Sequence, residues 1–180
     1  MCIRDREEKK TESKEAEKTQ QNNTKPLVEK IELCAPVSGT VKALSDVPDK
    51  TFAEKVLGDG AAIIPEEGKV YAPADGTVAN IMDSKHGIMF VTDSGAEVLI
   101  HIGLDTVNLK GKYFKSYVSD GDKVKKGTLL VEFDLEAIKG EGYNLITPMV
   151  VTNISDYIKA VCMEKENTAI NAGDKFLTVV

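Results

Sequence analysis

After a polar N-terminal stretch, short apolar segments alternate with glycine- and proline-containing turns along the rest of the 180-residue chain. The segments are rich in Val, Ile, Leu, Thr and Phe, and regularly spaced short strands of this kind are typical of a β-sandwich or barrel. Weak helical periodicity occurs at 51–57, 134–139 and 155–161, and we predict that Asp134 and Ser155 cap the second and third of these. The pattern predicts an all-β fold with a few short helical turns.

An internal repeat supports this interpretation. Ala35-Pro-Val-Ser-Gly-Thr-Val41 recurs as Ala72-Pro-Ala-Asp-Gly-Thr-Val78, 37 residues later. Each copy is an extended, proline-containing entry followed by a glycine turn and a strand, and we expect Gly39 and Gly76 to adopt positive φ. The repeat predicts two related half-sheets that close one barrel, although turns with Pro-x-x-Gly also recur by chance in β proteins.

The chain contains two histidines, His86 and His101, and one predicted hairpin carries both. Residues 87–91 and 96–102 are apolar and β-prone, and Asp93-Ser94-Gly95 between them favours a turn. A two-residue loop would place His86 directly opposite His101, whereas a three-residue loop shifts the pairing by one and keeps them neighbours. Opposed side chains have Cβ atoms about 4.5–5.5 Å apart, so the two imidazoles could share a metal ion, a phosphoryl group or a proton.

Composition narrows the class of protein. The net charge of −6 and the lack of a basic stripe argue against a nucleic-acid partner. No apolar run is long enough for a membrane-spanning helix, and no signal peptide is recognisable, so we expect no direct membrane insertion. Cys2, Cys34 and Cys162 are odd in number and lack metal-ligand spacing, which fits a reducing compartment and predicts a cytoplasmic location.

The composition changes near residue 27. Residues 1–26 are rich in Glu, Lys, Thr and Gln, and we predict a disordered tail or linker there. Residues 27–180 are predicted to form one folded domain. The first 30 residues carry eight Lys/Arg and seven Asp/Glu, a net charge of +1, so the other 150 carry −7.

Three chemistries can be weighed for the histidine pair. Catalytic zinc needs three protein ligands, and neither His-x-His nor His-Glu-x-x-His occurs. Serine-type catalysis could use Ser84, His86 and Asp105, but the Gly-x-Ser-x-Gly elbow is missing. A phosphoryl relay requires the fewest protein groups of the three chemistries. It needs one neutral imidazole as nucleophile, a second to hydrogen-bond the phosphoryl oxygens, and an apolar rim that excludes water. That rim would be Ile88, Phe90, Ile100 and Ile102.

The segment from Gly95 to Leu109, Gly-Ala-Glu-Val-Leu-Ile-His-Ile-Gly-Leu-Asp-Thr-Val-Asn-Leu, resembles the phosphorylation-site signature of glucose-type enzyme IIA. This family belongs to the bacterial phosphoenolpyruvate-dependent sugar phosphotransferase system. The resemblance spans roughly residues 31–180 and implies an antiparallel β-sandwich or flattened barrel of duplicated halves, the duplicated hybrid motif. Further matching segments are Ala35–Gly39, Asp46–Asp49, Phe52, Gly58–Gly60, Ala72–Thr77, Glu132–Leu135 and Thr147–Pro148.

The resemblance implies a phosphotransferase that works through a phosphohistidine intermediate and requires no cofactor. His101 would accept the phosphoryl group from the phosphocarrier HPr and donate it to a cysteine of a sugar-specific enzyme IIB, which is associated with the membrane enzyme IIC. His86 would hydrogen-bond the phosphoryl group. Ser84 stands where the family usually has threonine and would hold His86.

The family also implies a docking rim formed by Phe52, Asp49, Asp105 and Val107, with Met82 where an aromatic residue is common. An acidic domain suits a basic donor surface and a fast, salt-sensitive encounter. Two rim residues also have a simpler explanation: Phe52 could be core packing, and Asp105 could satisfy backbone N–H groups in its turn.

Two other functions stay open at this point. The chain could be a regulatory binding module whose phosphorylation state controls docking, with a weak zinc ion at His86 and His101 completed by a partner carboxylate. A zinc endopeptidase of the lysostaphin type shares the duplicated architecture but lacks support, because His-x-His is missing. Residue patterns leave open the sugar, the oligomeric state, and whether the domain is free-standing or the C-terminal part of a fused permease.

Overall fold

Antiparallel strands make up most of the fold. The structure, a computed structural model, describes residues 30–180; the predicted tail at 1–26 and Cys2 lie outside the described residues. Cys34 is a buried free thiol and Cys162 a half-buried one. The elements are β1 Ile31–Cys34, β2 Gly39–Ala43, α1 Lys50–Ala53, β3 Asp59–Pro65, β4 Lys69–Tyr71, β5 Gly76–Ile81, β6 Gly87–Thr92, β7 Glu97–His101, β8 Phe114–Ser116, β9 Lys123–Val124, β10 Leu129–Phe133, α2 Leu135–Gly140, β11 Thr147–Val151, β12 Ala160–Cys162, β13 Ala169–Ile170 and β14 Lys175–Val179, with 3₁₀ turns at Leu44–Asp46, Thr106–Leu109 and Ile154–Asp156.

The strands form three sheets in the described part of the chain. The largest has eight strands in the order β13-β2-β3-β11-β7-β6-β5-β9, and the two smaller ones have the orders β1-β14-β12 and β4-β10-β8. Every strand pairing is antiparallel. The prediction of an all-β fold with short helical turns is therefore confirmed. No helix among residues 30–180 is long and apolar enough to cross a membrane.

The strand order shows the predicted duplication. The four strands from one end of the large sheet correspond in order to the four from the other end: β13, β2, β3 and β11 match β9, β5, β6 and β7. The small sheets correspond in the same way. Strands β4 to β10 make one half, and they are inserted between β3 and β11 of the other. The two halves meet where β11 pairs with β7, at Met149 opposite Ile100.

The conformation predicted for Gly39 and Gly76 is wrong. Neither is among the glycines with positive φ, and each instead begins a strand, β2 and β5. Glycine is needed there because a neighbouring strand approaches closely. A Cβ atom on Gly39 would lie 1.9 Å from the carbonyl oxygen of Ile64, and one on Gly76 would lie 2.2 Å from that of Val91.

The three predicted helical segments fare differently. The first is only one turn, since Lys55 adopts a positive φ of 57° and ends it. The second is confirmed as α2, with the Asp134 carboxylate accepting a hydrogen bond from the Ala137 N–H at 3.0 Å. The third is wrong at 155–161: a 3₁₀ turn is followed by β12, which pairs with β14, and Ser155 caps nothing. Pairing with a neighbouring strand outweighs the weak local helical pattern.

The alternation of side chains between the two faces of β7 determines which face His101 lies on. Val98 and Ile100 are fully buried in the larger core, between the sheets. Leu99 belongs to a second cluster on the opposite face, which Phe52 of α1 covers. Because successive side chains of a strand point to opposite faces, His101 shares the face of Leu99 and lies beside Phe52.

Candidate functional site

The two histidines lie together where the β6–β7 hairpin opens. The backbone pairs Gly87 with His101, because Asp93-Ser94-Gly95 forms a three-residue loop closed by Thr92 and Ala96. The two-residue loop is therefore wrong and its three-residue alternative is right. The imidazole centroids are 4.9 Å apart and the ring planes are inclined at 80°. The edge of one ring thus faces the other.

A hydrogen bond determines which nitrogen of His101 is free. Nδ1 lies 2.6 Å from the carbonyl oxygen of Gly103. A carbonyl oxygen only accepts, so Nδ1 carries the proton and Nε2 retains its lone pair. Gly103 has a positive φ of 71°, and a Cβ atom there would lie 2.9 Å from the carbonyl oxygen of Asn144. Glycine is therefore required at this position.

Both imidazoles are held in the neutral form. His86 is 5% exposed, and burial, followed by the proximity of His101, lowers its pKa to about 4. Burial also lowers the pKa of His101, while the Gly103 hydrogen bond and the charges of Asp49 and Asp105 oppose that shift. Near pH 7 the site therefore offers an uncharged imidazole nucleophile.

Ser84 does not hold His86 in this structure. The Nδ1 atom of His86 is buried and has no hydrogen-bond partner among residues 30–180, while Ser84 is half-buried in the turn before β6. Met82 packs over Gly87, the residue after His86, since a Cβ atom on Gly87 would lie 2.5 Å from the Sδ atom of Met82. The buried nitrogen leaves one hydrogen-bonding position of His86 unused.

The four residues expected at the docking rim have different environments. Phe52 is 3% exposed and packs on His101, with ring centroids 5.3 Å apart. The Asp49 carboxylate caps α1 by accepting from the Thr51 N–H at 2.8 Å. Asp105 is exposed with φ 58° and makes no cap hydrogen bond, and Val107 is 49% exposed. Asp105 and Val107 are thus the members most available to a partner.

Thr106 and Asn144 support the loop after His101, and sequence reasoning assigned them no role. The fully buried Thr106 donates its hydroxyl to the Ile102 carbonyl oxygen at 2.5 Å. The Asn144 carbonyl oxygen accepts from the Leu104 N–H at 2.8 Å. Thr106 bonds a main-chain oxygen through its side chain, and Asn144 acts through its own main-chain oxygen, so residue type alone carries little signal of either role.

The histidine pair lies away from a large surface cavity. A cavity of about 690 Å³ lies at the far end of the hairpin, beside Asp93 and Ser94, and neither histidine lines it. Within residues 30–180, no group of three or more His, Cys, Asp or Glu side chains could hold a metal ion. What the pair provides is an imidazole nucleophile with a second neutral imidazole beside it. The fold and this pair together define a candidate phosphohistidine carrier domain.

Comparison with known proteins identifies the class. Residues 31–157 match the family described as "phosphoenolpyruvate-dependent sugar phosphotransferase system, EIIA 1". The glucose-specific EIIA component of Halalkalibacterium halodurans is 46% identical over 146 residues, which are 81% of this chain and 83% of that protein. The solved glucose permease IIA from Mycoplasma capricolum is 32% identical, with a TM-score of 0.74 over 83% of this chain and 95% of that structure.

The chain belongs to this EIIA family, and it is a phosphoryl-relay component of a sugar phosphotransferase system. The resemblance inferred from the residues is confirmed. The beta-glucoside-specific EIIBCA component of Bacillus subtilis is 53% identical over 123 residues, 68% of this chain and 20% of that protein. The chain therefore spans about a fifth of the length of that relative.

Proposed function

We propose that Nε2 of His101 accepts a phosphoryl group from phosphorylated HPr and passes it to a cysteine of a sugar-specific enzyme IIB. The observation that carries this proposal is the 2.6 Å contact between His101 Nδ1 and the Gly103 carbonyl oxygen. It leaves the lone pair of Nε2 available at neutral pH.

In the first step, the Nε2 lone pair attacks phosphorus and the N–P bond of the donor imidazole breaks, returning the electron pair to the donor ring. The Nδ1 proton stays on His101, where the Gly103 carbonyl stabilises the charge that the phosphorylated ring acquires. In the second step, a cysteine thiolate attacks phosphorus, and the N–P bond to Nε2 breaks. Neither step needs a metal ion or another cofactor from this chain.

His86 acts on the phosphoryl group rather than as a nucleophile in this proposal. Its low pKa keeps it neutral, so it donates one N–H to a phosphoryl oxygen as charge moves between donor and acceptor. Its position, 4.9 Å from the ring of His101, is within reach of a phosphoryl group on Nε2. Ser84 is proposed to rotate towards the unpaired Nδ1 when the site is phosphorylated, which would restrain the ring.

Docking is proposed to use the exposed Val107 with Asp105 and Asp49 around it. Transient partners bury small surfaces, and a carboxylate rim would steer a basic donor surface. Phe52 contributes by supporting His101 from beneath. We propose that the chain acts on the cytoplasmic side, beside the B and C components that the EIIBCA relatives name.

The test is phosphoryl transfer from phosphoenolpyruvate through enzyme I and HPr to this chain, with and without enzyme IIB. We expect the wild type to be labelled at Nε2 of His101, and His101→Ala to remain unlabelled. His86→Ala should accept the label but pass it to enzyme IIB at least tenfold more slowly. Ser94→Ala, in the turn at the far end of the hairpin, is the matched control and should behave as wild type. Label on His101→Ala would contradict the proposal.

The two adjacent imidazoles, with ring centroids 4.9 Å apart, support a second candidate function, regulatory docking. Two neutral imidazoles suit a zinc ion that a partner carboxylate completes, because this chain offers no third ligand within residues 30–180. Zinc alone should then bind weakly, and phosphorylation of His101 should abolish the partner-dependent site. Tight stoichiometric zinc binding by the isolated chain would argue against a partner-completed site.

A further inference from the structure

Thr106 touches both residues that follow His101. Its side chain is fully buried. Its hydroxyl donates to the Ile102 carbonyl oxygen at 2.5 Å, and a Cβ atom on Gly103 would lie 2.7 Å from its Cγ2 methyl. The two branches of this side chain therefore hold two successive residues of the loop.

Ile102 and Gly103 each make a main-chain hydrogen bond to one of the histidines. The Ile102 N–H donates to the His86 carbonyl oxygen at 2.6 Å, and the Gly103 carbonyl oxygen accepts from His101 Nδ1 at 2.6 Å. A movement of the Ile102–Gly103 segment would therefore alter the backbone of one histidine and the ring of the other. Besides the His101 ring, the Thr106 hydroxyl is a side-chain group that hydrogen-bonds this segment.

We infer that Thr106 is a positioning residue that keeps the proton of His101 on Nδ1. Its hydroxyl fixes the Ile102 peptide, and through that peptide it keeps the Gly103 carbonyl aimed at Nδ1. Hydrogen bonds weaken steeply with misalignment, so without this support the proton is shared between Nδ1 and Nε2. The inference rests on the proposed role of Nε2 as phosphoryl acceptor, because only an unprotonated Nε2 can attack.

Three variants of the full chain test the inference. Thr106→Val keeps a methyl but cannot place a carbon 2.5 Å from the Ile102 oxygen, while Thr106→Ser keeps the hydroxyl. Thr92→Val is the matched control, since Thr92 is a buried threonine whose hydroxyl accepts from the Ala96 N–H at 2.9 Å in the far turn of the same hairpin. The measurements are the ¹⁵N chemical shifts of the His101 ring nitrogens and the rate of phosphoryl acceptance from HPr.

We expect Thr106→Val to show both tautomers of His101 and to accept the phosphoryl group about two- to fivefold more slowly, because the rate falls with the fraction of the Nδ1-protonated form. Thr106→Ser and Thr92→Val should keep the wild-type tautomer. Thr106→Ala, which also removes the hydroxyl, replaces Thr106→Val if that variant does not fold.

Two results would overturn the inference: a wild-type tautomer in Thr106→Val, whatever its rate, or an equal loss of the tautomer in Thr106→Ser. Failure of the wild type to take label at His101 would instead refute the proposed function. The tautomer comparison would then still decide the role of Thr106.

Discussion

Acid should destabilise this protein through His86. The imidazole is 5% exposed, and its Nδ1 has no hydrogen-bond partner in the described part of the chain. Protonation would place a charge in this environment next to His101. Burial therefore lowers the pKa of His86 in the folded state from 6.5 to about 4.

The sign and size of the effect follow from linkage. Between pH 6.5 and about 4 the unfolded chain binds a proton that the folded chain excludes, so stability falls as the pH falls through this window. At 1.36 kcal/mol per pKa unit, the upper bound is about 3 kcal/mol. His86 adjoins the partly exposed His101 where the hairpin opens, so solvent screening reduces this contribution, and we expect about 1–2 kcal/mol.

Urea unfolding of the wild type and of His86→Gln, at pH values from 4.5 to 8, measures this contribution. The amide does not titrate, so the difference between the two curves isolates His86 from carboxylates that also titrate. Stability of the wild type should drop more steeply below pH 6.5. Because the chain has only two histidines, their NMR signals can be followed directly in the same range.

Two results would refute the reasoning. Parallel stability curves for wild type and His86→Gln would mean that His86 has the same pKa in both states. A titration of the His86 ring near its ordinary pKa of 6.5 would show that burial does not disfavour its charged form. His101→Gln is the control: it removes the neighbouring ring, so the pKa of His86 should stay low but move partway towards 6.5, since burial is the larger cause.

The remaining predictions concern packing and capping. Phe52→Ala removes a ring that is 3% exposed and should lower the free energy of unfolding by about 3 kcal/mol. It should also raise the pKa of His101, whose first cause of lowering is burial; an unchanged titration would show that Phe52 does not shield this ring. Asp134→Ala removes the cap on the Ala137 N–H and should destabilise the fold by about 1 kcal/mol, without changing the titration of His101.

The hairpin and its histidine pair could be predicted because both depend on local signals. Alternating apolar residues specify the strands, and Asp93-Ser94-Gly95 specifies the turn, which limits the loop to two or three residues. The choice between them depends on the backbone of the turn, which residue types do not determine. Either loop keeps His86 and His101 adjacent, so the prediction of the site did not depend on which register was right.

The support of His101 could not be predicted in the same way. The bonds from Leu104 to the Asn144 carbonyl and from Nδ1 to the Gly103 carbonyl use main-chain oxygens, which every residue type provides. The wrong prediction of a helix at 155–161 has a related cause. Strand β12 forms because it pairs with β14, and the local residue pattern does not specify that pairing. Local pattern therefore identifies the candidate site's side chains better than the backbone that orients them.

The duplication shows that the residues, rather than the fold, supply the chemistry. The repeat aligns β2 with β5, and the strand pairings then align β3 with β6 and β11 with β7. In this alignment His101 of β7 corresponds to Val150 of β11. Val150 is fully buried in the cluster that contains Phe52. By the same correspondence His86 falls at Asp59, whose carboxylate pairs with Lys55 at 3.0 Å. The same backbone position thus serves core packing in one half and the proposed phosphoryl chemistry in the other, and an imidazole with an oriented ring nitrogen is what separates the two uses.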